Sequence, residues 1–383
     1  MSAACSRANR RLVFNFDLTN YGDFHEIANR YFILICIMKN ISLIFSLFVL
    51  LGCSNKNSNI ETTSGLSVSG KITLQENLTF LTDIKSFEFL GDGTFFVLTK
   101  AGSIIRYNTS GEQIGQISTS GQGPLEVYSP GAIRAYNSHL FVWDDSLMKF
   151  VEFDQEGQAI TEFFGFARSV SNFEVDDKYI YAYQNNSPGM EFVNIYSKEK
   201  GEIIASLGET SNEQIVNDLH SKAGGILVLN GELVFAPSSK LFFYRNDIGN
   251  NFSPSFSSIV NENFIVDRVQ MDAVQFINDH RNEAIQYMFN NSVLTGIYPL
   301  KDGIFVTTEV GEFGEDVNKS KKGPKREMFL MLNSKFQVVK ESFLPILAGW
   351  TRSVYGSDGQ RIFRLTKEDG VEEVVYSLEV VNF

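Results

Sequence analysis

Residues 120–157 read SGQGPLEVYSPGAIRAYNSHLFVWDDSLMKFVEFDQEG, and the alternation within this stretch decides the fold. Three apolar runs, Ala132–Tyr136, Leu140–Trp143 and Lys149–Phe153, are separated by polar turns and closed by Gln155-Glu156-Gly157. Short runs rich in aromatic and β-branched residues between turn formers are strands. The theme recurs on both sides. Upstream it runs Phe87-Glu88-Phe89, Gly91-Asp92-Gly93, Phe95–Leu98, Ile104–Tyr107, Ser110-Gly111-Glu112. Downstream come Tyr179–Tyr183, Phe192–Tyr196 and Lys198–Gly201, then Gly225–Leu229, Asn230-Gly231, Leu233–Ala236 and Leu241–Tyr244. Ile304–Thr308 and Arg361–Leu365 mark two later copies. Asn-Gly and Asp-Gly between such runs are strong hairpin signals. Second strands start near Phe96, Phe141, Ile180 and Leu233, a period of roughly 40–50 residues, which is propeller spacing. The expectation is an all-β, six-bladed β-propeller over residues 71–383. A β-sandwich is the alternative, but sandwiches do not require so even a repeat.

Composition agrees with sheet. The 383 residues are 43% hydrophobic and 20% charged, with 34 Phe and 14 Tyr against two Trp. Such values allow a sizeable core, and aromatic residues suit a half-buried pleated surface. Net charge is −12. Residues 1–52 hold five basic and three acidic side chains, leaving 28 basic against 42 acidic ones and a net of −14. A body so acidic repels phosphate backbones, which argues against nucleic acid as a partner.

The N-terminal region reads as an address. From Met38 the chain runs MKNISLIFSLFVLLGCSNKN: one positive charge, Lys39, then an apolar run from Ile41 to Leu51. That length matches a signal-peptide core and falls short of the roughly 20 residues of a membrane span. Leu50-Leu51-Gly52-Cys53 resembles the lipobox of bacterial lipoproteins, with Leu51 a less usual choice before the glycine. The resemblance implies a signal peptide over 38–52, lipid attached at Cys53, and the outer membrane as location. Joining Tyr31–Leu51 into one transmembrane helix would place Lys39 within the span, at a cost of about 2.5–3.5 kcal/mol near its centre. Residues 1–37 match no part of a signal peptide, so translation is expected to start at Met38. Cys5 and Cys36 precede the cut, which leaves one cysteine and no internal disulfide. Residues 53–70, rich in Ser, Asn and Thr, are expected to form a flexible tether.

Three segments depart from the repeat. Val269, Ala273, Phe276, Ile277, Ala284 and Met288 recur at helical spacing, which predicts a helical insert between blades four and five. Gly311–Arg326 is expected as a long solvated hairpin tip in blade five. The sixth blade shows three strands, Thr351–Tyr355, Gln360–Thr366 and Glu373–Val381. An exposed edge invites aggregation, so Lys71–Leu74, or the segment after it to Leu81, is expected to supply the fourth strand and close the ring.

Ser120-Gly121-Gln122-Gly123-Pro124-Leu125-Glu126-Val127-Tyr128, with the strands through Asp154 and Gly157, resembles the inter-blade signature of NHL-type and TolB-like six-bladed propellers. Together with the lipobox, the chain is similar to six-bladed propeller lipoproteins of the Gram-negative envelope. Gly121 and Gly123 would supply positive φ at the blade crossing, and Pro124 would stiffen it. His139, His220 and His280 are scattered, and neither an HExxH nor a GxSxG motif is present. The sequence therefore nominates no catalytic residue, metal ligand or cofactor. Lys85, Arg134, Arg168, Lys222 and Arg352 put a cation near the start of five of six innermost strands. Convergence on a central channel would make them ligand-binding groups, unless they pair with neighbouring carboxylates. The expected function is a non-catalytic binding or scaffold module for a protein, saccharide or peptide ligand. The alternative is a propeller hydrolase or lyase with a channel-bound metal.

Overall fold

The computed structural model describes residues 61–63, 67–75, 83–118, 121–166, 170–184, 187–218, 224–310, 326–345, 353–369 and 374–382. Two strands precede the first blade, β1 (Glu61–Thr63) and β2 (Ser67–Thr73). Blade one holds β3 (Ile84–Phe89), β4 (Phe95–Thr99), β5 (Ile104–Tyr107) and β6 (Gln113–Ile117). Blade two holds β7 (Pro130–Tyr136), β8 (His139–Asp144), β9 (Lys149–Phe153) and β10 (Ala159–Phe163). Blade three is β11 (Val170–Val175), β12 (Tyr179–Gln184), β13 (Val193–Ser197) and β14 (Ile203–Leu207). Blade four is β15 (Gly225–Leu229), β16 (Glu232–Ala236), β17 (Phe242–Asp247) and β18 (Ser253–Ser258). Blade five is β19 (Val293–Leu300), β20 (Gly303–Val310), β21 (Arg326–Asn333) and β22 (Val338–Pro345). Blade six is β23 (Val354–Ser357), β24 (Ile362–Asp369) and β25 (Val374–Asn382), with β2 as its outermost strand.

Every blade is an antiparallel meander, and each inner strand touches the next around the ring: β3, β7, β11, β15, β19, β23 and back to β3. The turns behave as the hairpin signals require. Asn137 and Ser138 have φ of 48° and 63°, and Asn230 and Gly231 have 52° and 79°, the paired positive values of a two-residue hairpin. Among the described residues the apolar core divides into one cluster per pair of neighbouring blades. Phe87, Phe95, Tyr107, Phe363 and Leu378 join blades six and one; Phe141, Trp143, Phe150, Phe173 and Tyr196 join blades two and three. Aromatic pairs such as Phe150 and Phe173, 4.7 Å apart and edge to face, fill these seams.

The ring closes as expected, and earlier in the chain than expected. β2 pairs antiparallel with β25 from Ser67↔Asn382 to Thr73↔Ser377, and Leu74 N–H then donates to Tyr376 O at 2.9 Å. Leu74 is buried in the seam between blades six and one. β1 adds a feature that the strand repeat does not show: it pairs in parallel with β22 on the outer edge of blade five, Glu61↔Lys340 to Thr63↔Ser342. Two paired segments therefore fall inside the stretch 53–70 read as tether. Residues 1–60, which include the segment read as a signal peptide and Cys53, lie outside the described residues, as do 311–325.

The helical insert is two helices, α2 (Ala273–Asp279) and α3 (Arg281–Asn290), after a shorter one, α1 (Asn212–Asp218), between blades three and four. The periodic pattern is interrupted at His280, which has φ −129° and ψ 47°. Asp272 caps α2 by accepting from Val274 and Gln275 N–H. Val269, Ala273, Ala284 and Met288 are buried against Val216 of α1, with Phe276 and Ile277 half-buried beside them.

The inter-blade loop corrects the roles of its glycines. Gly121 and Gly123 do not have positive φ; Leu125 does, at 59°, in the third position of a turn that Glu126 N–H closes on Gly123 O at 3.3 Å. The glycines are needed for space. A Cβ on Gly121 would lie 2.1 Å from Glu126 Oε2, the oxygen that accepts the Gly123 N–H at 2.6 Å.

Candidate functional site

One position recurs on all six inner strands. Glu88, Arg134, Glu174, Leu227, Tyr298 and Gly356 each stand opposite the same place on the second strand: Phe96, Phe141, Tyr181, Val234, Phe305 and Phe363. Three of these consecutive positions carry charge, and the structure joins them. Arg134 on β7 donates from Nη1 to Glu88 Oε1 of blade one at 2.9 Å. Its Nη2 donates to Asn172 Oδ1 at 2.9 Å, and its Nε to Phe173 O at 3.0 Å, both in blade three. Glu174 Oε1 lies 3.3 Å from the same Nε. All three guanidinium nitrogens are thus held between the neighbouring blades.

The three side chains are 15–18% exposed, so their charges are largely removed from water. Burial pushes the Glu174 carboxyl up to about 7; Arg134 pulls it down, and Glu88 pushes it up again. Burial likewise raises Glu88 despite the Arg134 charge beside it. Burial works against the Arg134 cation, but Glu174 and Glu88 together outweigh it and raise its pKa. Tyr298, across the ring on blade five, is pushed up to about 12, again by burial first. Two carboxyls share one guanidinium, so a proton is retained by the pair well above the ordinary carboxylate range.

A second polar group lies between blades five and six. Glu327 Oε2 accepts from Tyr355 Oη at 2.9 Å and Ser353 Oγ at 3.1 Å, while Arg364 pairs with Glu379 at 2.7 Å. Burial raises the Glu327 carboxyl.

Of the residues nominated from sequence, Arg134 is in the channel and is held by carboxylates rather than left open to a ligand. Lys85 sits at the bulge of β3 between Ile84 and Ser86 and has an interaction of its own. Arg168, Lys222, Arg352 and Cys53, the expected lipidation residue, lie outside the described residues. Gly121, Gly123 and Pro124 lie in the loop from β6 to β7, where Lys149 Nζ donates to Gly123 O at 3.1 Å and pairs with Glu162 at 2.7 Å. Glu88, Glu174 and Tyr298 were missed. The signal was available: each precedes its turn by the same interval as Arg134.

Away from the channel, a cavity of about 340 Å³ opens beside the outer strands of blade four. Leu241, Phe242, Ile259, Val260 and Phe264 line it, with Lys240 among the polar groups. Val260 is 98% exposed, and nearby Phe256, 57% exposed, stacks on Phe242 at 5.6 Å. Among the described residues no three His, Cys, Asp or Glu side chains are grouped as metal ligands would be, and no helix is long and apolar enough to cross a membrane.

No family model matches the sequence, and no curated protein matches it. Solved structures do match in fold. A member of the DUF4221 family from Bacteroides vulgatus ATCC 8482 superposes with a TM-score of 0.58 at 12% identity, covering 83% of this chain and 98% of that one. A candidate exported protein of Bacteroides fragilis NCTC 9343 gives 0.58 and 12%, over 83% and 96%. At such identity the likeness shows the six-bladed propeller and nothing finer.

Proposed function

We propose that this chain is a lipid-anchored envelope protein of the NHL/TolB-like propeller kind, acting as a non-catalytic binding or scaffold module for a saccharide, peptide or protein ligand. The observation that carries the binding reading is the contrast between its two concave regions. The charges of the channel cluster are spent on one another, whereas the cavity at blade four opens beside uncovered apolar groups, Val260 and Phe256. Exposed apolar groups at a concavity are characteristic of recognition surfaces. The lipobox supports the anchor, and the candidate exported protein among the structural neighbours is in keeping with it.

Two experiments test the reading. The protein lacking residues 1–53 is probed on a glycan array and by crosslinking in envelope extract; Val260→Glu with Phe256→Ser should remove the bound species without lowering the melting temperature. Persistence of binding in that double variant would place recognition elsewhere. Labelled palmitate should enter the full chain and be lost on Cys53→Ala. The competing reading, a hydrolase or lyase with a channel metal, predicts stoichiometric metal in the purified protein.

A further inference from the structure

We propose that Glu88, Arg134 and Glu174 form a pH-sensitive latch on blades one to three, tight while the two carboxyls share a proton and loosened when both are ionised. The geometry is the first ground. The guanidinium of Arg134 ties three consecutive inner strands, reaching Glu88 on β3 and Asn172, Phe173 O and Glu174 on β11. β3, β7 and β11 belong to three separate hydrogen-bonded sheets, so side chains at this layer set how closely blades one to three approach. The second ground is the charge count. A single guanidinium balances one carboxylate, and the other must hold a proton or remain as a buried, uncompensated charge.

Among the described residues, the neighbouring strands bring few other titratable groups to this layer, and on β23, which packs on β3, the Tyr355 hydroxyl donates to Glu327. On β7 the cation is Arg134 itself. β3 contributes Glu88, with Lys85 three residues back along the strand. β12 places Tyr181 opposite Glu174, but its hydroxyl donates to Asp176 at 2.5 Å. β15, on the far side of β11, carries no titratable residue. Across the channel Tyr298 is neutral, and burial keeps it so to about 12. Glu174 is held up to about 7, within the range an envelope protein meets. Alkali therefore puts two like charges on either side of Arg134, and the cheapest relief is to admit water at the seams that blade two makes with blades one and three.

Hydrogen exchange at pH 6 and pH 8, corrected for the intrinsic rate, tests the latch on the wild-type protein. Amides of β7 and β11 should open about tenfold more at pH 8, while those of β16 in blade four should not change. Glu174→Gln, which keeps the shape and cannot ionise, should abolish the difference. Because a variant can fail to fold, the carboxyl carbon of Glu174 is also titrated in the wild type, with a midpoint near neutrality expected. A midpoint below about 5, equal protection at both pH values, or a difference surviving in Glu174→Gln would each overturn the proposal.

Discussion

Blade two and blade six have the same four-stranded meander, yet they are held in different ways. Blade two is one unbroken run of chain, Pro130 to Phe163, locked by contacts between residues no more than 16 apart. Asp144, fully buried, accepts backbone N–H groups from Tyr128, Ser129, Ser146 and Leu147 at 2.6–3.1 Å. Trp143 Nε1 donates to Asp145 at 2.7 Å, and Lys149, 2% exposed, meets Glu162. Blade six takes its fourth strand from the opposite end of the described chain, and that strand is held by ladder pairing and by Leu74. Local devices can hold a blade; only a distant strand can hold the ring. Closure over so long a chain carries an entropy cost that grows only with the logarithm of length, so a modest strand suffices.

The largest expected effect is on closure. Deleting residues 54–75 removes β1 and β2, strips Leu74 from the seam and exposes the edge of β25. We expect a loss on the order of 5 kcal/mol and concentration-dependent aggregation. An insertion of equal length between residues 311 and 325 should cost far less. Thermal melting of both proteins checks this, and equal midpoints would mean that the ring is closed by something other than β2.

Second in size is Arg134→Met, which leaves Glu88 and Glu174 without their cation. At pH 8 it should cost about 3–5 kcal/mol, and at pH 5 much less, since a protonated carboxyl needs no partner. The wild type bends the same way. The folded-state value of Glu174, about 7, lies above the ordinary 4.5, so its contribution is complete below pH 4.5 and is lost as pH rises towards 7. The corresponding slope is roughly 1.4 kcal/mol per pH unit for one proton. Urea unfolding from pH 4.5 to 8 reads it, and a flat profile would break the argument.

The two blades also differ in how far sequence alone reveals them. Blade two was legible because Asn137-Ser138, the runs around it and Gln155-Glu156-Gly157 act within a few residues. The helix pair was legible from Val269 to Met288 for the same reason, and the missing fourth strand of blade six pointed to the N-terminal closure. What stayed hidden depends on partners far apart in the chain. β1 is three residues whose only distinction is its place beside β22. Helix α1 is too short for a periodic pattern, and its burial depends on α2 and α3. The channel layer is hidden because cations near strand starts single out Arg134 alone of its members, while its partners are carboxylates at the equivalent positions of other blades, Glu88 and Glu174.

Third comes Asp144→Ala, aimed at blade two. It leaves four backbone donors at the second-strand corner without their acceptor. Charge-assisted bonds of this kind are worth about 1.5–3 kcal/mol each and are not additive, so a loss of roughly 3 kcal/mol is expected, with Asp144→Asn smaller. The exchange of Tyr128 and Leu147 amides should rise first. A change below about 0.5 kcal/mol, the ordinary scatter of surface substitutions, would show that local clamps matter less than the seams.

The smallest effect separates two uses of glycine in the loop that feeds blade two. Gly121 and Gly123 lie outside the left-handed region and are small because Glu126 folds over them; Leu125 takes the left-handed angle instead. Gly121→Ala should therefore destabilise, because the new methyl meets both Glu126 Oε2 at 2.1 Å and its Cβ at 2.7 Å. Displacing that side chain breaks the bond to Gly123 N–H, for a cost of about 1–2 kcal/mol. Leu125→Gly should be nearly neutral. Relief of a left-handed leucine returns about 1 kcal/mol, while the freer unfolded chain takes back about 0.5–1 kcal/mol, and Leu125 is already 36% exposed. The two substitutions exchange size in opposite directions within one turn, so their contrast is insensitive to general loop softening. Glu126→Ala in the Gly121→Ala background supplies the control: with the carboxylate gone the methyl has room, and the two losses should overlap instead of adding. Full additivity in urea unfolding would mean that the glycine is required by the backbone after all, as its place in the motif first implied.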